Sequence, residues 1–279
     1  MLLPALLFLV VFTIAPTIVT IIDSFWFTPH GAKAATFAGM AQYEALLADP
    51  IFWQALRNNL LYAAVTVPVS IILALAMALW TNGRIKGRAF MRLAFFLPTM
   101  LPMIGAANIW IYFYTADYGL IDQIGHLFGA GSHNWLGNPH TALGALMVVA
   151  IWKEAGFFMV FYLAALQQIP PSLIEAAQLE GANAWQTFWR VTLPLLMPTT
   201  LFVGVNALIN SFRVVDQVIS MTGGGPDNAT SLLIFYVYQT AFSFWDTYYG
   251  ATISTVLLLG LGLLSFLQFA LFGRRVHYR

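Results

Sequence analysis

The residues best equipped for chemistry lie where charge is least welcome. Lys153 and Glu154 stand side by side at the middle of an otherwise apolar run from Thr141 to Leu166. A lone charge at a membrane centre costs about 2.5 to 3.5 kcal/mol on insertion scales, so both must face an interior. Farther along, Asn206, Asn210, Arg213 and Gln217 follow at spacings of 4, 3 and 4, with Asp216 adjacent. That spacing places the four on one face of a helix and its continuation. A polar stripe on an apolar helix lines a solute path or a helix contact. For the charged residues both readings stay open, a path wall or an inter-helix clamp such as Glu154 with Arg213. Asn206 and Asn210 favour the path, because amides hydrogen-bond hydroxyl groups well. Two interior cations are compatible with a solute bearing an anionic group, unless Glu154 and Asp216 neutralise them.

Other chemistries lack their residues. The chain has no cysteine, which excludes thiolate metal sites, disulfides and a cysteine nucleophile. The lysines, Lys33, Lys86 and Lys153, follow Ala32, Ile85 and Trp152, so none completes a phosphate-cradling Gly-x-x-x-x-Gly-Lys-Ser/Thr loop. Neither His-Glu-x-x-His nor Gly-x-Ser-x-Gly occurs, and no histidine sits centrally in an apolar run. No catalytic residue, metal site or cofactor is expected in this chain.

The elements that must position these groups are membrane helices. Of 279 residues, 60% are apolar and 8% charged, against about 25% charged in ordinary soluble domains. A net charge of +1 leaves no basic field for nucleic acid. A hydrocarbon core about 30 Å thick requires roughly 20 apolar residues in a helix. Six runs qualify, over about 2–22, 60–80, 93–114, 141–166, 195–212 and 250–272. Backbone groups in lipid must be satisfied within each segment, so the predicted fold is an all-α six-helix transmembrane bundle, one domain over 1–279. The stretch from Ser231 to Phe244 is shorter and more polar, and reads as a helix on the membrane surface. Eight of the twelve cations (Arg84, Lys86, Arg88, Arg92, Arg190, Arg274, Arg275 and Arg279) fall on one side, which predicts that both termini are cytoplasmic. Lys33 and Arg57 fall on the other, among Asp23, Glu44, Asp49, Asp117, Asp122, Asp227 and Asp246.

Between the fourth and fifth spans, residues 167–190 form a cytoplasmic loop that reads as two short helices. Pro170 and Pro171 stop the preceding helix, and Ser172 stands three residues before Glu175 in a capping-box spacing. The first loop helix is expected over Leu173 to Glu180, ended by a left-handed turn at Gly181. Asn183 is placed to cap a second helix containing Trp185, Phe188 and Trp189. Leu173, Ile174, Ala177 and Leu179 give the first helix too much apolar surface for a solvated loop, so it needs a partner.

These residues carry a resemblance. Glu175-Ala176-Ala177, Gly181 after three intervening residues, Val191 and Leu193-Pro194 resemble the EAA signature of permease subunits of bacterial binding-protein-dependent ABC importers. The lead-in Ala164-Ala165-Leu166-Gln167-Gln168-Ile169-Pro170 and the run Thr222-Gly223-Gly224-Gly225-Pro226 are similar to the carbohydrate branch of that family, which holds maltose-type and glycerol-3-phosphate-type permeases. The resemblance implies a type I permease fold in which 167–190 is a coupling-helix loop docking in a cleft of a cytoplasmic ATPase. Ser172, Glu175, Ala176, Ala177, Gly181, Leu193 and Pro194 are then the ATPase-coupling residues, and Glu175 pairs with a basic ATPase residue. It implies a second permease subunit, two ATPase copies that bind ATP and magnesium, an extracytoplasmic solute-binding protein and a place in the bacterial inner membrane. The solute class implied is a sugar, a glycoside or a glycerol-phosphate-like compound. Three alternatives follow from the residues themselves: Glu175 only closes the box with Ser172, Leu173 and Ile174 lie on the membrane surface, or the chain is an ion-coupled carrier using Lys153 and Glu154.

Overall fold

A computed structural model describes residues 3–28, 34–83, 86–129 and 131–272. Lys33, Arg84, Arg274, Arg275 and Arg279 lie outside the described residues. The architecture is a bundle of long apolar helices joined by short helical connectors. Helix α1 (Leu3–Asp23) leads to a two-stranded antiparallel ribbon, β1 (Trp26–Phe27) with β2 (Thr36–Phe37), in which Trp26 pairs with Phe37. Next come α2 (Ala41–Ala48) and α3 (Pro50–Asn82), then α4 (Arg88–Met100) and α5 (Met103–Phe113). The connector α6 (Leu120–Leu127) precedes α7 (Ala142–Gln168), followed by α8 (Pro171–Leu179) and α9 (Ala184–Phe212). The chain closes with α10 (Asp216–Met221), α11 (Leu233–Tyr238) and α12 (Thr247–Phe272).

Five of these helices are each long and apolar enough to cross a membrane, and α4 with α5, bent by 101° at the break between them, meets the same test only as a pair, which brings the number to six if the pair is one span. The third run is thus not the single straight helix expected over 93–114. Pro102 disfavours helical geometry at the residue before it and carries no N–H. Leu101 accordingly turns extended, with φ −75° and ψ 135°.

The other spans differ from expectation mainly in length. Helix α3 starts ten residues earlier than the run at 60–80, because Asp49 Oδ1 accepts the Ile51 N–H at 2.8 Å and Pro50 occupies the first helical position. Helix α9 absorbs the second loop helix. Pro194 cannot donate to Arg190, and the chain continues through one wider turn in which the Leu193 N–H reaches the Phe188 carbonyl.

Packing centres on α3 against α7, the most extensive helix pair. Small buried residues favour that approach, Ala74 and Ala78 on α3 and Ala145 on α7 among them, each in a core cluster the two helices share. Helix α4 crosses α7 with no spare room, since a Cβ on Gly156 would stand 2.1 Å from the Phe95 carbonyl oxygen.

The segment predicted to lie on the membrane surface is instead built into the bundle. Leu233 and Tyr236 are buried against α3 and α12, and Leu232 and Phe235 in the core with Tyr62, Leu146 and Val218. Its polar edges are satisfied by α3: Asn59 Oδ1 accepts the Leu233 N–H at 3.2 Å, and Asn58 Nδ2 donates to the carbonyls of Asn228 (2.9 Å) and Ser231 (3.1 Å). Asp49 accepts the hydroxyls of both Tyr236 and Tyr249. With these partners the stretch needs no lipid surface.

Candidate functional site

A cavity of about 280 Å³ opens inside the bundle. Helix α3 contributes Tyr62, Thr66 and Ser70 to its wall, α5 contributes Met103, and α7 contributes Lys153, Glu154 and Phe158. Asn210 and Ser211 of α9 and the stretch from Arg213 to Gln217 complete it. Tyr62, Thr66 and Ser70 carry a signal that the reading of charges passed over. Polar atoms recur every fourth residue along one face of an apolar helix.

Lys153 and Glu154 point to different partners. The Lys153 ammonium donates to the carbonyls of Pro98 (3.3 Å), Thr99 (3.2 Å) and Leu101 (2.5 Å), all at the break between α4 and α5. Thr99 returns a bond from Oγ1 to the Lys153 carbonyl at 3.3 Å. Glu154 Oε2 accepts from Asn210 Nδ2 at 3.1 Å. The clamp of Glu154 with Arg213 does not form. Arg213 ends α9 with an exposed side chain that has no hydrogen-bond or ion-pair partner among the described residues, while lining the cavity.

The polar stripe is not continuous in space. Helix α9 stops at Phe212, and Gln217 belongs to α10, a separate helix that starts only at Asp216. Gln217 is fully buried, donating Nε2 to the Leu146 carbonyl at 2.6 Å and accepting the Tyr62 hydroxyl at 3.5 Å. Asn206 bonds the Phe202 carbonyl at 2.8 Å and is not part of the cavity wall. The structure therefore brings together Lys153, Glu154, Asn210, Arg213 and Gln217 and leaves Asn206 out.

A second region stands at the end of the bundle where α7 gives way to α9. Helix α8 starts at Pro171, two residues earlier than expected, and no side chain caps it. The predicted box between Ser172 and Glu175 is absent. Proline at the first helical position makes Ser172 the second helical residue, whose side chain no longer faces the unpaired N–H groups. Glu175 is exposed and has no partner among the described residues.

The far end of α8 is closed as expected. Gly181 adopts φ +83°, its N–H meets the Gln178 carbonyl at 3.0 Å, and the Ala182 N–H meets the Ala177 carbonyl at 3.0 Å. This pair of bonds is a Schellman closure, and left-handed backbone favours glycine. Asn183 and Gln186 then cap each other's backbone at 2.9 and 3.0 Å to start α9. Between these turns lies a shallow pocket lined by Ala177, Glu180, Gly181, Gln186 and Arg190. Leu179 is 90% exposed and Trp185 69% exposed, an apolar display that a solvated connector does not make. Leu193 and Pro194 lie behind it, inside α9.

Comparison with known proteins identifies the family of the chain as a whole. The family model described as "Binding-protein-dependent transport system inner membrane component" matches residues 66–278. The chain is 34% identical over 223 residues to the sulfoquinovosyl glycerol transport system permease protein SmoG of Agrobacterium fabrum, covering 80% of this chain and 72% of that protein. It is 35% identical over 246 residues to the trehalose/maltose transport system permease protein MalF of Thermococcus litoralis, covering 86% and 82%. Among solved structures it superposes on a bacterial ABC transporter chain involved in import of the acidic polysaccharide alginate. That match has a TM-score of 0.85 at 23% identity and covers 98% of this chain and 94% of that one.

Proposed function

The chain belongs to the family of binding-protein-dependent transport system inner membrane components, and from that premise we propose that it forms half of the translocation path for a sugar-type solute in an ATP-driven importer. The solute is a sugar, a glycoside or a glycerol-phosphate-like compound delivered by an extracytoplasmic binding protein. The second half of the path comes from a similar permease, and two copies of a cytoplasmic ATPase bind ATP and magnesium. Both termini face the cytoplasm. Sugar-transport relatives such as those named above support the solute class.

One observation carries the coupling half of this reading: α8 is a short helix closed at Gly181 and held out from the bundle, with Glu175 unpaired among the described residues and Leu179 exposed. Such a helix fits a groove on a partner, and ATP-driven movement of that groove is passed through Gly181 and α9 to the spans. Ser172, Ala176 and Ala177 belong to the docking surface, and Leu193 and Pro194 to the start of the lever. In the path itself, Glu154, Asn210 and Arg213 offer an acceptor, an amide and a free cation to a polyhydroxylated solute. Arg213 also suits an anionic substituent.

Gly181→Asp tests the coupling. A Cβ at Gly181 meets no atom within 4 Å, so the substitution alters only the turn conformation and the docking face. Solute-stimulated ATP hydrolysis by the reconstituted complex is expected to be lost while the subunit still reaches the membrane. Normal stimulation in that variant, or uptake in vesicles that follows an ion gradient and ignores ATP, overturns the proposal.

A further inference from the structure

Within the cavity wall, Lys153 is the residue whose partners least resemble those of a solute ligand. An ammonium group has three N–H donors, and in this structure all three have carbonyl partners, at Pro98, Thr99 and Leu101. These carbonyls need a donor for a definite reason. In an unbroken helix the Pro98 carbonyl would accept from residue 102, a proline without an N–H; here its one backbone donor is the Leu101 N–H of a tightened last turn, at 3.3 Å. Thr99 would accept from Met103, but the extended backbone at Leu101 and Pro102 carries Met103 away. Carbonyls that lose their helical donors at mid-membrane are tolerated only where protein or water satisfies them. They are also the negative end of the α4 dipole, which a cation stabilises.

We infer that Lys153 is a positioning residue, which fixes the break in the third span and thereby the wall that α5 presents to the cavity. Two further contacts tie the same joint together. Gly156, one turn beyond Lys153, lets the α4 backbone touch α7 at Phe95. On the other side of the break, Trp110 of α5 packs edge-on against Trp152 at 5.6 Å. Helix α5 also packs on α10, so its angle sets where Val215, Asp216 and Gln217 stand. The neighbouring Glu154 faces the cavity and Asn210. Adjacent residues on one helix thus hold the joint and face the solute space, so a change of occupancy and a change of bend reach each other through one turn of α7.

The experiment uses the assembled complex in nanodiscs. Paired spin labels at Phe90→Cys and Tyr112→Cys, both exposed and in a chain without cysteine, report the distance across the break. Lys153→Met is expected to broaden that distance distribution, and Lys153→Arg to keep it narrow. In the same Met variant, solute-stimulated ATP hydrolysis falls about tenfold, while the half-saturating concentration of loaded binding protein stays within about twofold. If the Met variant fails to assemble, Thr99→Val, which removes one link to Lys153, decides by the same distance measurement and is expected to broaden it partially. A distribution as narrow as the parent's in the assembled variant overturns the inference. So does an effect confined to half-saturation with turnover retained, the mark of a solute ligand. The activity arm rests on the transport reading; the distance arm does not, so a complex that ignores ATP would sink that reading and leave the distance result standing.

Discussion

Lys153 and Glu154 are neighbours in sequence with separate tasks in space, and each task is set by what the rest of the chain delivers to it. Glu154 meets Asn210 and not Arg213 because α9 ends at Phe212, so the cation leaves the helix surface that the spacing assigned to it. Asp122 shows the same dependence outside the membrane spans. It is only 2% exposed and accepts from the backbones of Asp117 and His133, the Ser132 hydroxyl and the Trp135 indole. Those donors, the His133 N–H first, hold its carboxyl far below the usual carboxylate range. A depressed value means that its contribution to stability is complete above the unfolded-state pKa of about 3.9 and is lost as pH falls below that. Trp135 fluorescence is therefore expected to stay constant from pH 7 to 5 and to change only in stronger acid. Asp122→Asn, which turns a donor toward donors, should lower the unfolding midpoint and abolish that acid transition; a transition near neutral pH would contradict the assignment. Asp122 was legible in the sequence only as a charge on one side of the membrane, because its donors come from a loop whose path hydropathy does not describe.

At the scale of elements, proline separates what local sequence decides from what it does not. Pro68 and Pro198 lie inside α3 and α9, which continue past them, whereas Pro102 ends one helix and starts another. All three remove an N–H; only at Pro102 does a cation from another helix reach the freed carbonyls and make a sharp bend affordable. Conversely, the turn at Gly181 and the cap at Asn183 were legible because their bonds close within a few residues. The Ser172 box does not form because the helix begins at Pro171, a start that the Ser172–Glu175 spacing does not encode. The crossing of α4 on α7 yields a prediction at this scale. Gly156→Ala places a methyl group against the Phe95 backbone, which has no rotamer with which to yield. Overpacking of this kind is expected to cost about 1–3 kcal/mol, measured as a lower midpoint in detergent unfolding, and to loosen the joint at Leu101. A full-stability Gly156→Ala variant would show that the two helices part more freely than their contact suggests.

For the molecule as a whole, the asymmetry of charge predicts an orientation that labelling can check. In a chain without cysteine, Phe128→Cys, at an 85% exposed site beyond α6, should react with a membrane-impermeant maleimide in intact cells. Lys86→Cys, between α3 and α4, should react only in inverted vesicles, and the reverse pattern would overturn the topology. The sequence alone determined the character of the protein: six apolar runs, a lopsided distribution of cations, and an exposed helix closed at Gly181 between the fourth and fifth runs. Each of these depends on composition or on bonds between near neighbours, so each is written locally. Tertiary structure alone decided which polar groups meet. Lys153 reaches carbonyls more than fifty residues back, and Asp49 holds Tyr236 and Tyr249 from 187 and 200 residues away. Such pairings follow from how helices cross. In a medium without water every buried donor and acceptor must find its partner in the assembled fold, wherever in the sequence that partner lies.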